Sequence, residues 1–465
     1  MLNELLGTPS FDLVQTADVG DREVTLLRRM IWVYFFLLIG EGALRKWALP
    51  SLSAPLLVIR DPLVLLIYVQ ALRCRRFPVS GPMVAYWLLL TSFILLTVLQ
   101  IVGGIGGGPV VAAYGLRTNF LHLPLIFVIP QVFSQADVAK LGRWVLALSI
   151  PMAGLMIWQF MSPPDSWINN ATMADAQQIS FALGKIRPAG TFSFATGAAH
   201  FFVLATAFLI YGLAQPRAGY SRWLVGASLF SILVVQPVSG SRLLVVGCAL
   251  VVVAAILFSF LAKGGSSRPL LVALLICVAL SVLSLTGFFR DAMTVFMTRW
   301  SDASGGSANE SLIGRVLFSF LDPFVLMSQV GPFGQGIGVG TNAASALMTG
   351  SVQFLLAEGE WSRVIMEAGP LAGFSFLAYR TWLAGDMAVH AVAAARRQNL
   401  LVWLLAWDAC RSLLTEQLSQ PTNLGFMVLV SGLCLAAMPA GRTALATQLT
   451  RRMRPLPVPG LRFEN

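Results

Sequence analysis

The chain has 465 residues, 57% of them hydrophobic and 11% charged, with a formal net charge of +11. Soluble domains carry about 25% charged residues, so a water-soluble globular protein is excluded. A β-barrel is excluded too, because the apolar residues come in long runs instead of alternating. The basic surplus would suit nucleic acid, but it sits mainly in short connections and at the C-terminus, where it serves membrane orientation.

Runs of apolar residues long enough to cross a hydrocarbon core of about 30 Å recur throughout. In chain order they predict twelve helical spans: about 31–48, 54–72, 82–101, 116–134, 143–161, 194–213, 222–238, 242–262, 269–288, 364–384, 400–418 and 423–439. Met1 to Asp21 is too polar for a cleaved signal peptide, so the first span is expected to act as an uncleaved anchor. The fold class is therefore an all-α polytopic membrane protein. It divides into an N-terminal segment 1–30, spans one to nine over 31–288, a long loop 289–363, spans ten to twelve over 364–439, and a basic tail 440–465.

Alternate connections carry the basic residues. Arg22/Arg28/Arg29, Arg73/Arg75/Arg76, Lys140/Arg143, Arg217/Arg222, Lys263/Arg268, Arg396/Arg397 and Arg442/Arg451/Arg452/Arg454/Arg462 make 19 of the 32 Lys and Arg. The positive-inside rule then puts both termini in the cytoplasm and the 289–363 loop outside. Five scattered cysteines (Cys74, Cys248, Cys277, Cys410, Cys434) show no metal spacing and no disulfide framework. No cofactor or metal is expected.

Ionisable residues within spans cost about 2.5–3.5 kcal/mol each on insertion scales, so they suggest function. They are Glu41, Arg45 and Lys46 on span one, Arg60 and Asp61 on span two, and Asp408, Arg411 and Glu416 on span eleven. The topology places nearly all of them in the outer half of the bilayer. The rival reading is that they pair and lock helices together, Arg411 with Asp61 and Arg60 with Glu41 or Glu416.

Arginines also mark the outer connections. Arg187 lies in Lys-Ile-Arg-Pro-Ala-Gly-Thr-Phe before span six, and Arg242 in Ser-Gly-Ser-Arg at the tight turn between spans seven and eight. Arg315 lies on a stretch, Ser311 to Val330, that reads as an amphipathic surface helix. A guanidinium grips phosphate through two hydrogen bonds, so converging arginines would bind a diphosphate and stabilise it as a leaving group. Headgroup anchoring is the alternative for each. Arg117, Arg60 and Arg411, with Arg315 and Arg363 from the loop, are the further candidates for substrate contact. The ladder Gly334, Gly336, Gly338, Gly340 lacks the βαβ setting of a nucleotide fingerprint. It reads as a flexible turn that brings backbone close to another surface. His122, His200 and His390 are assigned to packing, with His390 in a cytoplasmic loop.

The order of these parts resembles the O-antigen ligase and O-antigen polymerase superfamily of bacterial envelope glycosyltransferases. The matching pieces are Arg-Pro-Ala-Gly-Thr-Phe (187–192), Ser-Gly-Ser-Arg (239–242), Gly-Arg (314–315), Gly-Gln-Gly-Ile-Gly (334–338) and Glu-Ala-Gly-Pro-Leu-Ala-Gly (367–373). The resemblance covers the architecture from about the fourth span onward. It implies a membrane-embedded, metal-independent transferase of GT-C-like architecture in the bacterial inner membrane. Its partners would be an undecaprenyl diphosphate-linked glycan donor, a glycan acceptor, the bilayer and other polysaccharide export proteins, with no nucleic acid. Arg187 and Arg242 would then hold the diphosphate.

The chain departs from the family at one point. The ligases carry His-Asn about nine residues before the Glu-x-Gly that here is Glu367-Ala368-Gly369, and this loop has no histidine. A partly desolvated carboxylate could take the acceptor's proton instead. Glu358 and Glu360 are the candidates, Glu360 favoured, and pairing of Glu360 with Arg363 three positions on is the rival. The missing histidine tilts the expectation from ligase to polymerase. A flippase is the alternative of another class, but it would need charge in the inner halves of its spans. A non-enzymatic scaffold of an export complex is a third. The 289–363 loop is expected to act as a lid.

Overall fold

The computed structural model describes residues 11–170, 185–215, 218–262, 267–284, 320–350 and 354–438, with three isolated positions between 293 and 297. Arg315, Arg290 and Arg299, the start of the expected amphipathic helix and the basic tail lie outside them. The described residues are mostly helical, with no strand element among them.

We number the main helices in chain order. They are α1 (Phe11–Ala43), α2 (Arg60–Arg73), α3 (Gly81–Val102), α4 (Gly108–Leu116), α5 (Leu125–Val132), α6 (Gln135–Met161) and α7 (Ala195–Ala214). They continue with α8 (Arg222–Val238), α9 (Arg242–Leu261), α10 (Ser267–Ser284), the short α11 (Asn342–Thr349), α12 (Glu360–Arg396), α13 (Leu400–Thr415) and α14 (Pro421–Ala437). Within the described residues each of the twelve predicted spans falls mainly on helix, and the ends of the ninth and twelfth, 285–288 and 439, lie outside them. Among the described residues, five helices are long and apolar enough to cross a membrane, six if the bent pair Pro50–Leu56 and Arg60–Arg73, at 41°, is counted as one.

The outward faces match a hydrocarbon solvent. On α3, Trp87, Leu88, Ile94, Leu95, Val98 and Leu99 are all exposed. A stripe of that size on a water-soluble surface would drive association, whereas in lipid it costs nothing. At the other extreme, 83% of the apolar window of α7 is buried. α7 packs against α6, α8, α9, α13 and α14 and forms the centre of the bundle.

Several boundaries move. The fourth span starts at Gly108, earlier than expected, and is interrupted by a π-turn over Arg117–Leu121 before Pro124 opens α5. α12 runs from Glu360 to Arg396, so His390 lies on a helix and not in a loop. That helix is broken at Gly369 (φ 75°), followed by Pro370. The lost turn frees the carbonyls of Met366 and Glu367. Inside a membrane such groups must find protein partners, and here the glycine ladder supplies them.

Gln335 N donates to Met366 O at 2.7 Å and Gly336 N to Glu367 O at 3.2 Å. Gln100 on α3 adds a third set of bonds. Its Nε2 donates to Phe333 O (2.5 Å) and Glu367 O (2.9 Å), and its Oε1 accepts from Ile337 N at 2.9 Å. The ladder does bring backbone against another surface, but these bonds pin it instead of leaving it flexible. Gly338 shows why glycine is required: its φ is +90°, and a Cβ there would collide with Val111 O on α4. Replacing Gln100 with Leu is expected to strand two backbone groups, Phe333 O and Ile337 N, at about 1–3 kcal/mol each, while Glu367 O keeps its bond from Gly336 N. A fall in the detergent melting temperature would show it, and an unchanged Tm would refute the pinning role.

Candidate functional site

The charges predicted within spans fall in two clusters, and a further one forms between them from Glu360, Arg363, Glu367 and Arg380. The first starts from α1. Arg60 at the head of α2 donates from Nε to Glu41 Oε2 (2.8 Å), from Nη1 to Tyr34 Oη (3.4 Å) and from Nη2 to Pro421 O (2.6 Å). Arg60 is 1% exposed, so its side chain joins α1, α2 and α14 instead of facing open space. The Arg60–Glu41 pairing anticipated from sequence is present.

The Asp61–Arg411 pairing is not. Adjacent residues on a helix point in different directions, and Asp61 turns toward α4, where Arg117 holds it with two bonds (Nε 2.6 Å, Nη2 2.8 Å). His122 Nε2 lies 3.0 Å from the same carboxylate, and its Nδ1 lies 3.1 Å from Tyr34 Oη. The π-turn makes this possible, since its wider winding sets Arg117 and His122 on one side. His122 is thus a link in a polar chain, not plain packing.

The second cluster is on α12. Arg363, 2% exposed, is bidentate to Glu360 (2.9 and 2.9 Å), and reaches Glu367 Oε2 (2.8 Å) and Asn119 Oδ1 (3.0 Å). Arg380 donates to Glu360 Oε1 at 2.7 Å and to the carbonyls of Leu413 and Glu416. Glu367 Oε1 accepts from Gly340 N at 2.9 Å, tying the cluster to the end of the glycine ladder. Two carboxylates and two guanidiniums cancel, and each oxygen of Glu360 is engaged. Glu360 and Arg363, expected at the site as base and substrate ligand, therefore hold structural contacts. Glu358 is exposed, and its carbonyl accepts from Gln417 Nε2.

The third cluster is Asp408, Arg411 and Glu416 on and after α13, with His200 from α7. Arg411 donates to Asp408 Oδ1 (2.7 Å from Nη2), to Glu416 Oε1 and to His200 Nδ1 (3.2 Å). His200 Nε2 lies 3.1 Å from Glu416 Oε2.

The arginines of the outer connections sit differently. Arg187 is half-buried, and its Nε is enclosed without a hydrogen-bond partner. The rest of its motif is firmly docked. Thr191 Oγ1 donates to Ile39 O (2.7 Å), Gly190 N donates to Gln159 Oε1 (2.8 Å), and Phe192 is 1% exposed between Phe201 and Phe426. Gly42 lets the segment lie directly on α1, since a Cβ there would overlap the backbone of Thr191 and Ser193. Arg45, at the end of α1, donates to Ser193 Oγ (2.8 Å) and Ser53 O (2.9 Å), and Lys46 Nζ reaches Gly190 O at 3.5 Å. Glu41 lies 4.0 Å from Arg45 but is already bound to Arg60.

Arg242 is half-buried at the first position of α9. The turn before it is short, as expected, with Gly240 at φ +55° and Ser241 Oγ accepting from Leu244 N.

No family model, curated protein or solved structure matches this chain.

Sequence reasoning passed over Arg380, Tyr34, Gln100 and Asn119. Arg380 was within reach, because it is an ionisable residue inside the tenth predicted span and such residues are the default signal. The other three are neutral and carry no charge signal.

Proposed function

We propose that this protein polymerises lipid-linked oligosaccharide repeats at the outer face of the bacterial inner membrane. In this reading all twelve helical spans cross the bilayer with both termini inside, and the donor is a glycan on undecaprenyl diphosphate. The observation that carries the proposal is the cation-rich corner around the 187–193 segment. Arg45 and Arg60 share one carboxylate, Glu41, Arg45 and Lys46 reach the segment at Ser193 and Gly190, and Arg187 within it keeps a buried Nε without a partner. A buried donor left unsatisfied is costly, and a phosphate oxygen would satisfy it through a charge-assisted bond. Arg242 begins a helix of 20 residues, whose N-terminal dipole also favours an anion.

The chemistry follows from that placement. An acceptor hydroxyl attacks the anomeric carbon, the bond from that carbon to the lipid diphosphate breaks, and the diphosphate leaves with the electron pair. Arginines stabilise the charge that develops on it. The hydroxyl proton passes to a carboxylate. Glu358 is the better candidate, because Glu360 is held on both oxygens by Arg363 and Arg380.

The test is to supply purified protein with undecaprenyl diphosphate repeat units and size the products on a gel. A ladder of longer chains supports polymerisation. Transfer to a lipid A core would make it a ligase, and movement across a vesicle bilayer without transfer would make it a flippase. Arg187→Ala is expected to lower the initial rate roughly ten- to a hundredfold, the worth of one or two hydrogen bonds to a charged group. It should leave insertion and Tm unchanged. Full activity in that variant would remove Arg187 from the site.

A further inference from the structure

A cavity of about 340 Å³ opens between α7, α9, α12 and α13. Small residues make the room: Gly247 on α9, Ala388 and Ala391 on α12, and Ala406 on α13. Trp403 forms one wall, fixed by its indole Nε1, which donates to Ala254 O at 2.6 Å. The lining is otherwise apolar except at one end, where Asp408 and Arg411 reach it. From Trp403 to Arg411 the wall runs about 12 Å along α13, and the volume lies in the range of small-ligand sites.

The polar end is incompletely satisfied. Asp408 is 3% exposed, and its Oδ2 is buried without a hydrogen-bond partner. Its other oxygen, Oδ1, takes both bonds from Arg411, Nε at 3.2 Å and Nη2 at 2.7 Å. A buried acceptor of this kind costs free energy unless something donates to it.

Charge gives the second clue. A guanidinium only donates, so His200 Nδ1, at 3.2 Å from Arg411 Nη2, must accept. The ring hydrogen then sits on Nε2, facing Glu416 Oε2 at 3.1 Å. This is the neutral tautomer. Asp408, Glu416 and Arg411 therefore leave one negative charge. Arg380, which donates to Glu416 O, is spent on Glu360, and its cluster with Arg363 and Glu367 is neutral in sum. Among the described residues, the surplus charge and the unpartnered oxygen both belong to the cluster whose Asp408 and Arg411 line the apolar cavity.

We infer that this cavity binds a single-chain alkyl amine, the chain among the apolar walls and the ammonium on Asp408 Oδ2. An ammonium supplies both the missing hydrogen and the missing positive charge. An alcohol supplies only the hydrogen. A carboxylate or phosphate head would meet Asp408 and Glu416 and be repelled. The inference is independent of the proposed transferase activity.

The test uses the full-length protein in phosphatidylcholine nanodiscs with three photoactivatable diazirine probes of one chain length: a primary amine, an alcohol and a carboxylic acid. Labelled peptides are mapped by mass spectrometry. The amine should label 247–251, 388–392 and 403–411 most strongly, and dodecylamine but not dodecanoate should compete. Asp408→Asn should reduce amine labelling there roughly ten- to a hundredfold, the factor carried by a hydrogen bond to a charged group, and bring it to the level of the alcohol. Because that change could unseat Arg411, Ala388→Phe provides a second variant. Ala388 is exposed at the cavity and belongs to a different helix from Asp408 and Arg411, so the variant should keep its Tm and lose labelling by all three probes. Equal labelling by amine and acid, preference for the alcohol, or labelling that persists in Ala388→Phe would each overturn the inference.

Discussion

Arg363→Met is expected to destabilise the protein by about 3–5 kcal/mol, the cost of breaking a buried ion pair on one side. Arg363 is the hub of a neutral cluster that joins three elements. It holds Glu360 and Glu367 on α12 and Asn119 in the π-turn after α4, and through Glu360 it is coupled to Arg380 and so to the end of α13. Removing the guanidinium leaves Glu367 facing only Gly340 N among its charged and polar contacts. The penalty then is that of an uncompensated carboxylate in a low-dielectric interior. The double variant Arg363→Met, Glu367→Gln should recover part of the loss, because it removes one charge of each sign and leaves Glu360 paired with Arg380. Thermal unfolding in detergent, followed by tryptophan fluorescence, reads both. A single variant within about 0.5 kcal/mol of the parent, the range of ordinary surface changes, would show that the cluster does not hold the fold.

Gly338→Ala is expected to displace the glycine ladder. Its φ of +90° lies where an L side chain is strained, at a cost of order 1–3 kcal/mol, and the added Cβ would overlap Val111 O on α4. Gly350 is the matched control: its φ is +73°, but a Cβ there meets nothing within 4 Å. Gly350→Ala should therefore carry strain alone. The expected order is a large loss of Tm and faster protease cleavage around 331–341 for Gly338→Ala, and a smaller loss of Tm with unchanged cleavage for Gly350→Ala. Equal effects would mean that backbone strain, not the close approach to α4, makes glycine necessary at 338.

These two sites show how far the chain could be read without coordinates. As far as the described residues reach, each apolar run fell mainly on helix, because crossing or filling an apolar layer demands about twenty residues with every backbone group bonded internally. The tight turn before Arg242 was legible from Ser-Gly-Ser, and the Arg60–Glu41 and Arg363–Glu360 pairings from residue type and spacing. The glycine ladder was legible as a close approach of backbone, though not what it approaches. Its role depends on the break at Gly369-Pro370, which strands two carbonyls 30 residues further along, and on Gln100, a neutral side chain on another helix.

What the sequence determined by itself is the solvent: 57% hydrophobic and 11% charged residues in long runs admit a helical membrane protein and little else. It also determined which residues had to be explained, since each charge inside a span costs free energy unless it finds a partner. Only the tertiary structure decided the partners. Asp61 found Arg117 instead of Arg411, Glu360 was taken by two arginines, Arg187 kept an unsatisfied nitrogen, and Asp408 kept an unsatisfied oxygen over a cavity. Periodicity sets which way a side chain points from its own helix. Which helix stands opposite is set by packing among residues far apart in the chain, and local pattern carries no record of it.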